Sequence, residues 1–300
     1  VAALHVFGTV GKSTTRIMVD AVLGSGAGAL PAPVFVLLSP DADSAGQSWQ
    51  QALPTLEADA RVVVNADAVS APATEASVTT FGLSDAATIR ASDIDATLDG
   101  TAFTLTVGSE QRRVQLRVLG EHQVTNALAA ISVARACGIP LEDSVAALER
   151  LATLGRGRME RLAAANDLVV INDTVSAAPQ SVTAALKALT QVAGERRSVA
   201  VLGELSLGDE DPRAAHDRIG RLIVRLNVKK LVVVGHGARH IHNAAGLEGS
   251  WDGESVLLDS PREAYDFLRE ELRRQDVVLV KSSATAGLSD LANQLAEVTR

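Results

Sequence analysis

Cysteine is almost missing from this chain: Cys137 is the single thiol in 300 residues. One thiol closes no internal disulfide, which fits a reducing, cytoplasmic compartment. Cys137 falls inside the helical-looking run 127–138 and reads as a small core residue rather than a nucleophile. Aromatics make up only 3% of the sequence. The cores must therefore be filled by Val, Leu, Ile and Ala, and no platform exists for stacking single-stranded bases. Basic runs are absent and the formal net charge is −8, which argues against a phosphate-neutralising surface, so no nucleic acid partner is expected. No stretch approaches the ~20 apolar residues of a membrane span. The opening VAALHVFG has neither the basic start nor the long apolar run of a signal peptide, and reads as a buried strand.

What is present is ordinary globular usage, with 47% hydrophobic and 21% charged residues, enough for two domains. An apolar run over 2–7 ends at Gly8, and 13–23 follows at helical spacing, which is half of a parallel α/β unit. VFVLL (34–38) and RVVVN (61–65) are further buried strands, and 45–56 between them has room for a helix broken at Pro54. Between 77 and 119 the pattern becomes short and alternating (SVTTFG, ATIRA, AFTLTV, RVQLRVL), which predicts a small antiparallel side sheet. Two helices follow, over 122–137 and 141–151. Beyond Gly155, strand–helix alternation resumes. DLVVI (167–171), SVAVL (198–202), KLVVV (230–234), SVLLD (255–259) and DVVLV (276–280) are buried strands. Helices are expected over 180–192, 212–226, 261–274 and 287–299, with Pro212 and Pro261 near two of their starts. The predicted fold class is α/β: a P-loop domain over 1–152, then a doubly wound, Rossmann-like domain over 153–300, hinged at Gly155-Arg156-Gly157.

The chemistry-bearing motif is Gly8-Thr9-Val10-Gly11-Lys12-Ser13-Thr14, placed between a strand and a helix. Glycines let backbone N–H groups curl around phosphate oxygens, and the helix start adds partial positive charge. Lys12 is the catalytic candidate that would reach the outer phosphates of ATP, and the Ser13 hydroxyl would ligate Mg²⁺. The first glycine of the longer Walker pattern is replaced by Val6. An ordinary strand–helix turn remains the bland alternative. A His cluster, His236, His240 and His242, suggests a metal site, but on a surface loop without rigid spacing that reading is the weaker one. His122 and His216 read as local hydrogen-bonding residues.

The loop, with NAD at 65–67, GEHQVTNALAA at 120–130, GRME at 157–160, VINDTVSAAPQS at 170–181, VLGEL-x-LG…H at 201–216 and VLVKSSATAG at 278–287, resembles the Mur ligases. The likeness is strongest to the members that add D-alanyl-D-alanine. That resemblance implies an ATP-dependent amide ligase of peptidoglycan precursor synthesis, acting through an acyl phosphate. The implied partners are ATP, Mg²⁺, a UDP-N-acetylmuramoyl-peptide and D-alanyl-D-alanine. It implies further that Gly8 to Thr14 bind ATP phosphates, that Asn126 faces the adenine, that Arg158 and Asp173 approach the nucleoside on closure, and that Lys281 lies near the acceptor dipeptide. Simpler readings stay open. Asn126 would bridge helices, Asp173 would form an Asx-turn, and Lys281 would be a solvated strand flank.

The sequence also departs from that family. The family carries an N-terminal domain for the UDP end, whereas this chain opens on the P-loop strand. Between the loop and NAD the family is longer, and that stretch supplies an acidic Mg²⁺ ligand and a carbamylated lysine. No lysine occurs here between Lys12 and Lys187. Asp41 and Asp43 are the substitute metal ligands to consider, against loop solvation as the plainer reading. Val175-Ser176-Ala177-Ala178-Pro179 replaces the family's Tyr-Asn-Ala-Asn-Pro, and Ala284 stands where Arg is common. Three functions follow: an impaired amide ligase, a nucleotide-binding scaffold without ligase activity, or a P-loop ATPase or kinase for an unrelated small molecule.

Overall fold

The computed structural model describes residues 3–24, 30–40, 49–52, 56, 59–163, 167–208 and 210–298. They form two compact units, Val1–Ala152 and Thr153–Arg300.

The first unit is built on one seven-stranded sheet whose strands lie in sequence order: β1 (Leu4–Phe7), β2 (Val34–Leu37), β3 (Arg61–Asn65), β4 (Ser77–Gly82), β5 (Ile89–Thr97), β6 (Gly100–Val107) and β7 (Glu110–Leu116). β1 to β4 run parallel and β5 to β7 form an antiparallel meander. The meander continues the parallel sheet through a short β4–β5 pairing. SVTTFG is the exception to the expected antiparallel run: it pairs parallel with β3, Arg61 opposite Ser77. Alternation reports that one face of a strand is half exposed and carries no information about direction.

α1 (Lys12–Gly24), α3 (His122–Ala136) and α4 (Leu141–Arg150) pack on one another, and α3 also lies on β3 and β4. Within α3, Gln123, Val124 and Asn126–Ala134 are buried. A helix apolar all round is a core helix, and the many alanines of NALAAISVARA let α1 and α4 lie close against it. Phe7, Leu37, Val62 and Val64 form a cluster with Ala60, Val69 and Ala76, covered by Phe35, Trp49, Leu56 and Val78. The helix expected over 45–56 is seen as α2 (Trp49–Ala52), while Pro54 and 41–48 lie outside the described residues.

The second unit carries β8 (Glu160–Ala163), β9 (Val169–Asp173), β10 (Ser198–Leu202), β11 (Lys230–Val234), β12 (Glu254–Leu258) and β13 (Val277–Lys281). Their order is β12-β11-β10-β13-β9-β8, all parallel except β8. The helices are α5 (Pro179–Ala193), α6 (Pro212–Arg225), α7 (Arg239–Gly246), α8 (Pro261–Glu271) and α9 (Leu288–Val298). α8 and α9 cover a core of Val170, Val199, Val201, Val232, Val278 and Val280. From β9 the chain passes over to β10, steps outward to β11 and β12, then returns to lay β13 between β10 and β9. The carboxyl ends of β9, β10 and β13 thus mark a topological switch point, where open α/β sheets hold ligands.

GHGARHIH is not a surface loop, as its sequence suggested. It forms a 3-10 turn (His236–Ala238) and then α7. Gly220 is what seats this helix, because a Cβ there would fall 2.4 Å from the Ile241 carbonyl oxygen. β8 was also missed, since four residues of ERLA give too short a pattern to read.

Candidate functional site: the glycine loop and the strand-end lysine

Gly8 follows β1 with φ +140°, and a Cβ there would lie 2.9 Å from Ser39 Oγ and 3.0 Å from Leu38 Cβ. Thr9 N–H donates to the same Ser39 Oγ at 3.1 Å. Gly11 has φ +86°, and a Cβ would meet Asn126 Oδ1 at 2.4 Å. Both glycines are therefore required by φ and by space. Lys12 opens α1 and its ammonium donates to the Gly8 carbonyl, tying the cation across the loop. The first turn of α1 holds no acidic residue, so nothing there opposes an anion at the helix start. Thr9, Val10 and Ser13 are exposed and Thr14 is half-buried. The loop offers backbone N–H groups, one ammonium and an exposed hydroxyl, which is the donor set of a phosphate site.

Asn126 is 6% exposed. Its Oδ1 accepts from Thr15 Oγ1 at 3.1 Å and its Nδ2 donates to Gln123 Oε1 at 2.9 Å. Its side chain bridges α1 and α3 beneath Gly11. Gln123 Nε2 lies 3.0 Å from His122 Nε2.

NAD is a structural clamp. Asn65 Nδ2 donates to the Leu38 carbonyl at 3.0 Å, and Asp67 accepts from the N–H groups of Leu83 (2.6 Å) and Ser84 (3.0 Å). Burial pushes the Asp67 carboxyl up, but hydrogen bonds from Ser84 and Leu83 outweigh it and hold it below the ordinary 3.8. A lowered carboxyl contributes stability that is present above 3.8 and is lost as pH falls through the depressed value. Asp67→Ala should therefore lower the melting temperature near neutral pH and match wild type well below pH 3.8, as melts at the two pH values will show. An equal deficit at both would contradict the clamp.

At the switch point of the second unit, Lys281 ends β13 with no exposed side-chain surface. Its Nζ donates to Asp173 Oδ2 at 2.5 Å and to the Ser176 carbonyl at 2.8 Å. Asp173 Oδ1 accepts from Met159 N–H at 3.1 Å. The solvated-flank reading of Lys281 does not survive in this geometry, because its ammonium is fully buried. It braces the β9 turn. GRME is stitched to the same turn, with Gly157 N–H on Glu160 Oε2 at 2.9 Å and Val175 N–H on the Gly157 carbonyl at 3.2 Å. Arg158 is half-buried and makes no hydrogen bond or ion pair among the described residues, so it is a guanidinium available at this end of the sheet. Ala178 precedes α5 as its N-cap residue, with Pro179 at the first helical position. Ala284 is exposed in a 3-10 turn.

The remaining candidates are structural. His216 is 1% exposed; Nδ1 lies 2.6 Å from the Pro212 carbonyl, and Nε2 accepts from Leu205 N–H at 3.5 Å. His236 pairs with Asp259 at 3.4 Å and His242 Nδ1 meets Ser255 Oγ at 2.7 Å. Among the described residues no group of three His, Cys, Asp or Glu is placed to hold a metal, and His240 joins none. Cys137 caps α3, half-buried, and burial pushes its thiol up, away from thiolate reactivity. Asp41 and Asp43 lie outside the described residues. No described helix is long and apolar enough to cross a membrane.

A glycine loop at a strand–helix junction in one unit and a doubly wound sheet with a charged switch point in the other define a two-unit α/β protein. The Mur ligase middle domain matches residues 51–134 and the Mur ligase glutamate ligase domain matches 157–284; this chain belongs to the Mur ligase family. Gly8–Thr14 precede the matched part. The UDP-N-acetylmuramoyl-tripeptide–D-alanyl-D-alanine ligase of Mycobacterium tuberculosis is 43% identical over 210 residues, 64% of this chain and 41% of that protein. This chain thus spans less than half the length of that relative. A crystal structure of MurF from Acinetobacter baumannii superposes with TM-score 0.80 at 21% identity, covering 99% of this chain and 76% of that one. MurF from Thermotoga maritima, in complex with ADP, gives 0.77 at 15% identity, covering 99% and 80%.

Proposed function

We propose that this chain binds ATP through Gly8, Thr9, Val10, Gly11, Lys12, Ser13 and Thr14, and that it is an amide ligase of the D-alanyl-D-alanine-adding type, impaired by the catalytic elements it lacks. Its substrates in that reading are a UDP-N-acetylmuramoyl-peptide and D-alanyl-D-alanine, in the cytoplasm. The observation that carries the nucleotide reading is the loop itself. Gly8 and Gly11 hold positive φ that L side chains rarely adopt, and a Cβ at either would crowd Ser39 Oγ or Asn126 Oδ1, leaving a backbone cradle at a helix start with one ammonium across it. The donor set also fits Mg²⁺ carried by the nucleotide. Mg²⁺ keeps several waters and phosphate oxygens and asks the protein for one or two ligands, and the exposed Ser13 hydroxyl supplies one. Arg158 is the guanidinium in the second unit proposed to meet the nucleoside, with Asp173 and Lys281 holding the turn from which it acts. The ligase relatives named above support the reaction class.

Lys12→Ala removes the fixed cation facing the phosphates, and charge-assisted contacts are worth ~1.5–3 kcal/mol. Calorimetric titration should show a loss of MgATP affinity of about tenfold or more, with the melting temperature of the ligand-free protein little changed. Equal affinity in both proteins would remove the loop from the account.

A nucleotide-binding scaffold without ligase activity is the second reading. It is favoured by the absence of any lysine between Lys12 and Lys187, which leaves the first unit no residue to carry the carbamate that the resemblance implies.

A further inference from the structure

Arg158 stands between two residues with positive φ, Gly157 at +67° and Met159 at +48°. A residue with a side chain holds such a φ only where its surroundings over-determine it. Here they do. Met159 is buried and its N–H is held by Asp173 Oδ1 at 3.1 Å. A Cβ at Gly157 would crowd Val175 Cγ2 at 3.0 Å and Thr174 Oγ1 at 3.2 Å.

The same turn is fixed a second time, by a polar chain to which neither Asp173 nor Lys281 belongs. Thr174 Oγ1 donates to Asn172 Oδ1 at 2.7 Å, and Asn172 Nδ2 donates to Glu160 Oε2 at 3.4 Å. That Oε2 also accepts from Gly157 N–H at 2.9 Å. Asn172 and Thr174 are 2% and 4% exposed, a depth at which unpaired polar groups are costly. By occupying Oδ1, the Thr174 hydroxyl turns the Asn172 NH2 toward Glu160. The antiparallel pairing of β8 with β9 sets Glu160 opposite Asn172. Glu160 comes two positions after Arg158, yet its Oε2 is engaged by an amide and a backbone N–H. No ion pair joins the two side chains among the described residues.

We propose that Glu160, Asn172 and Thr174 are positioning residues for Arg158: they set the 157–160 turn and keep the neighbouring carboxylate off the guanidinium, so that it stays free for the nucleotide. The inference rests on the nucleoside role proposed for Arg158 and names the residues on which that role depends. A guanidinium paired with a carboxylate would have to give up a charge-assisted bond on binding. One held free and in place binds with less left to order.

The test titrates the whole chain with MgATP and with magnesium tripolyphosphate, which has the phosphates and no nucleoside. Arg158→Ala is the reference, and should weaken MgATP about tenfold with tripolyphosphate unchanged. Thr174→Val and Asn172→Leu remove hydrogen-bonding atoms at nearly constant volume. Each should weaken MgATP by about three- to tenfold, again with tripolyphosphate unchanged. In the Arg158→Ala background neither should weaken it further, because both act through the guanidinium. Thr174→Ser keeps the hydroxyl and should bind as wild type does. Amide hydrogen exchange at residues 157–160 of the ligand-free protein should speed up in Thr174→Val and stay at the wild-type rate in Arg158→Ala. Wild-type MgATP affinity in Thr174→Val and Asn172→Leu would overturn the proposal while leaving the role of Arg158 intact. Losses that persist in the Arg158→Ala background, weak binding by Thr174→Ser or unchanged exchange would overturn it equally. Full affinity in Arg158→Ala, or a wild type that binds neither probe, would instead remove the nucleoside reading itself, and the proposal with it.

Discussion

Replacing Lys281 by methionine will destabilise the second unit by about 3–5 kcal/mol, the usual result of removing one partner of a buried ion pair. The methionine fills nearly the same space, so packing is not what is lost. What is lost is the cation between two acceptors, Asp173 Oδ2 and the Ser176 carbonyl, in a place where the lysine side chain has no exposed surface. Water cannot replace it without opening the β9 turn. A surface pair such as Arg262–Asp266, with side chains 82% and 52% exposed, would cost ~0–1 kcal/mol. Adding Asp173→Asn should recover a large part of the loss. It removes the stranded charge and keeps the Oδ1 that accepts from Met159. The chain has two tryptophans, Trp49 in the first unit and Trp251 in the second. Denaturant unfolding followed by Trp251 fluorescence in a Trp49→Phe background reports on the second unit by itself. A Lys281→Met shift of surface-pair size would show the ammonium to be a bystander.

The second large effect concerns turnover. Purified chain given MgATP, UDP-N-acetylmuramoyl-tripeptide and D-alanyl-D-alanine should form amide product at no more than trace rate. Phosphoryl transfer to a carboxylate brings two anions together, and the site must neutralise the repulsion with positioned metal and cationic groups. Ser13 is one neutral ligand, and the first unit has Lys12 as its only lysine. Loss of one such electrostatic element costs ~10²–10³ in rate, and the resemblance implies that an acidic ligand and a carbamylated lysine are both missing. Product above trace would return attention to Asp41 and Asp43, whose alanine variants should then abolish it.

Much of this was legible in the amino-acid sequence, and the reasons differ by element. β3 of the first unit and β11 of the second are runs of Val and Leu buried on both faces, so RVVVN and KLVVV announce themselves. The glycine loop was legible because glycine spacing between a strand and a helix has few uses. The direction of SVTTFG was not, because alternation is indifferent to direction. α7 was hidden because GHGARHIH follows a strand and is polar and glycine-rich, the composition of a surface loop. Lys281 misled because a lysine at a strand end is normally solvated, and only tertiary structure supplies a carboxylate 108 positions away in sequence. The Thr15–Asn126–Gln123 chain left a faint trace, Gln and Asn three residues apart on one helix face, but its third member comes from another helix.

Calorimetric titration of MgATP into the wild-type chain is the direct test of whether the Gly8–Thr14 loop holds nucleotide phosphates. One saturable site per chain is expected, competed by magnesium tripolyphosphate. Heats that never saturate, or binding that tripolyphosphate does not displace, would contradict it.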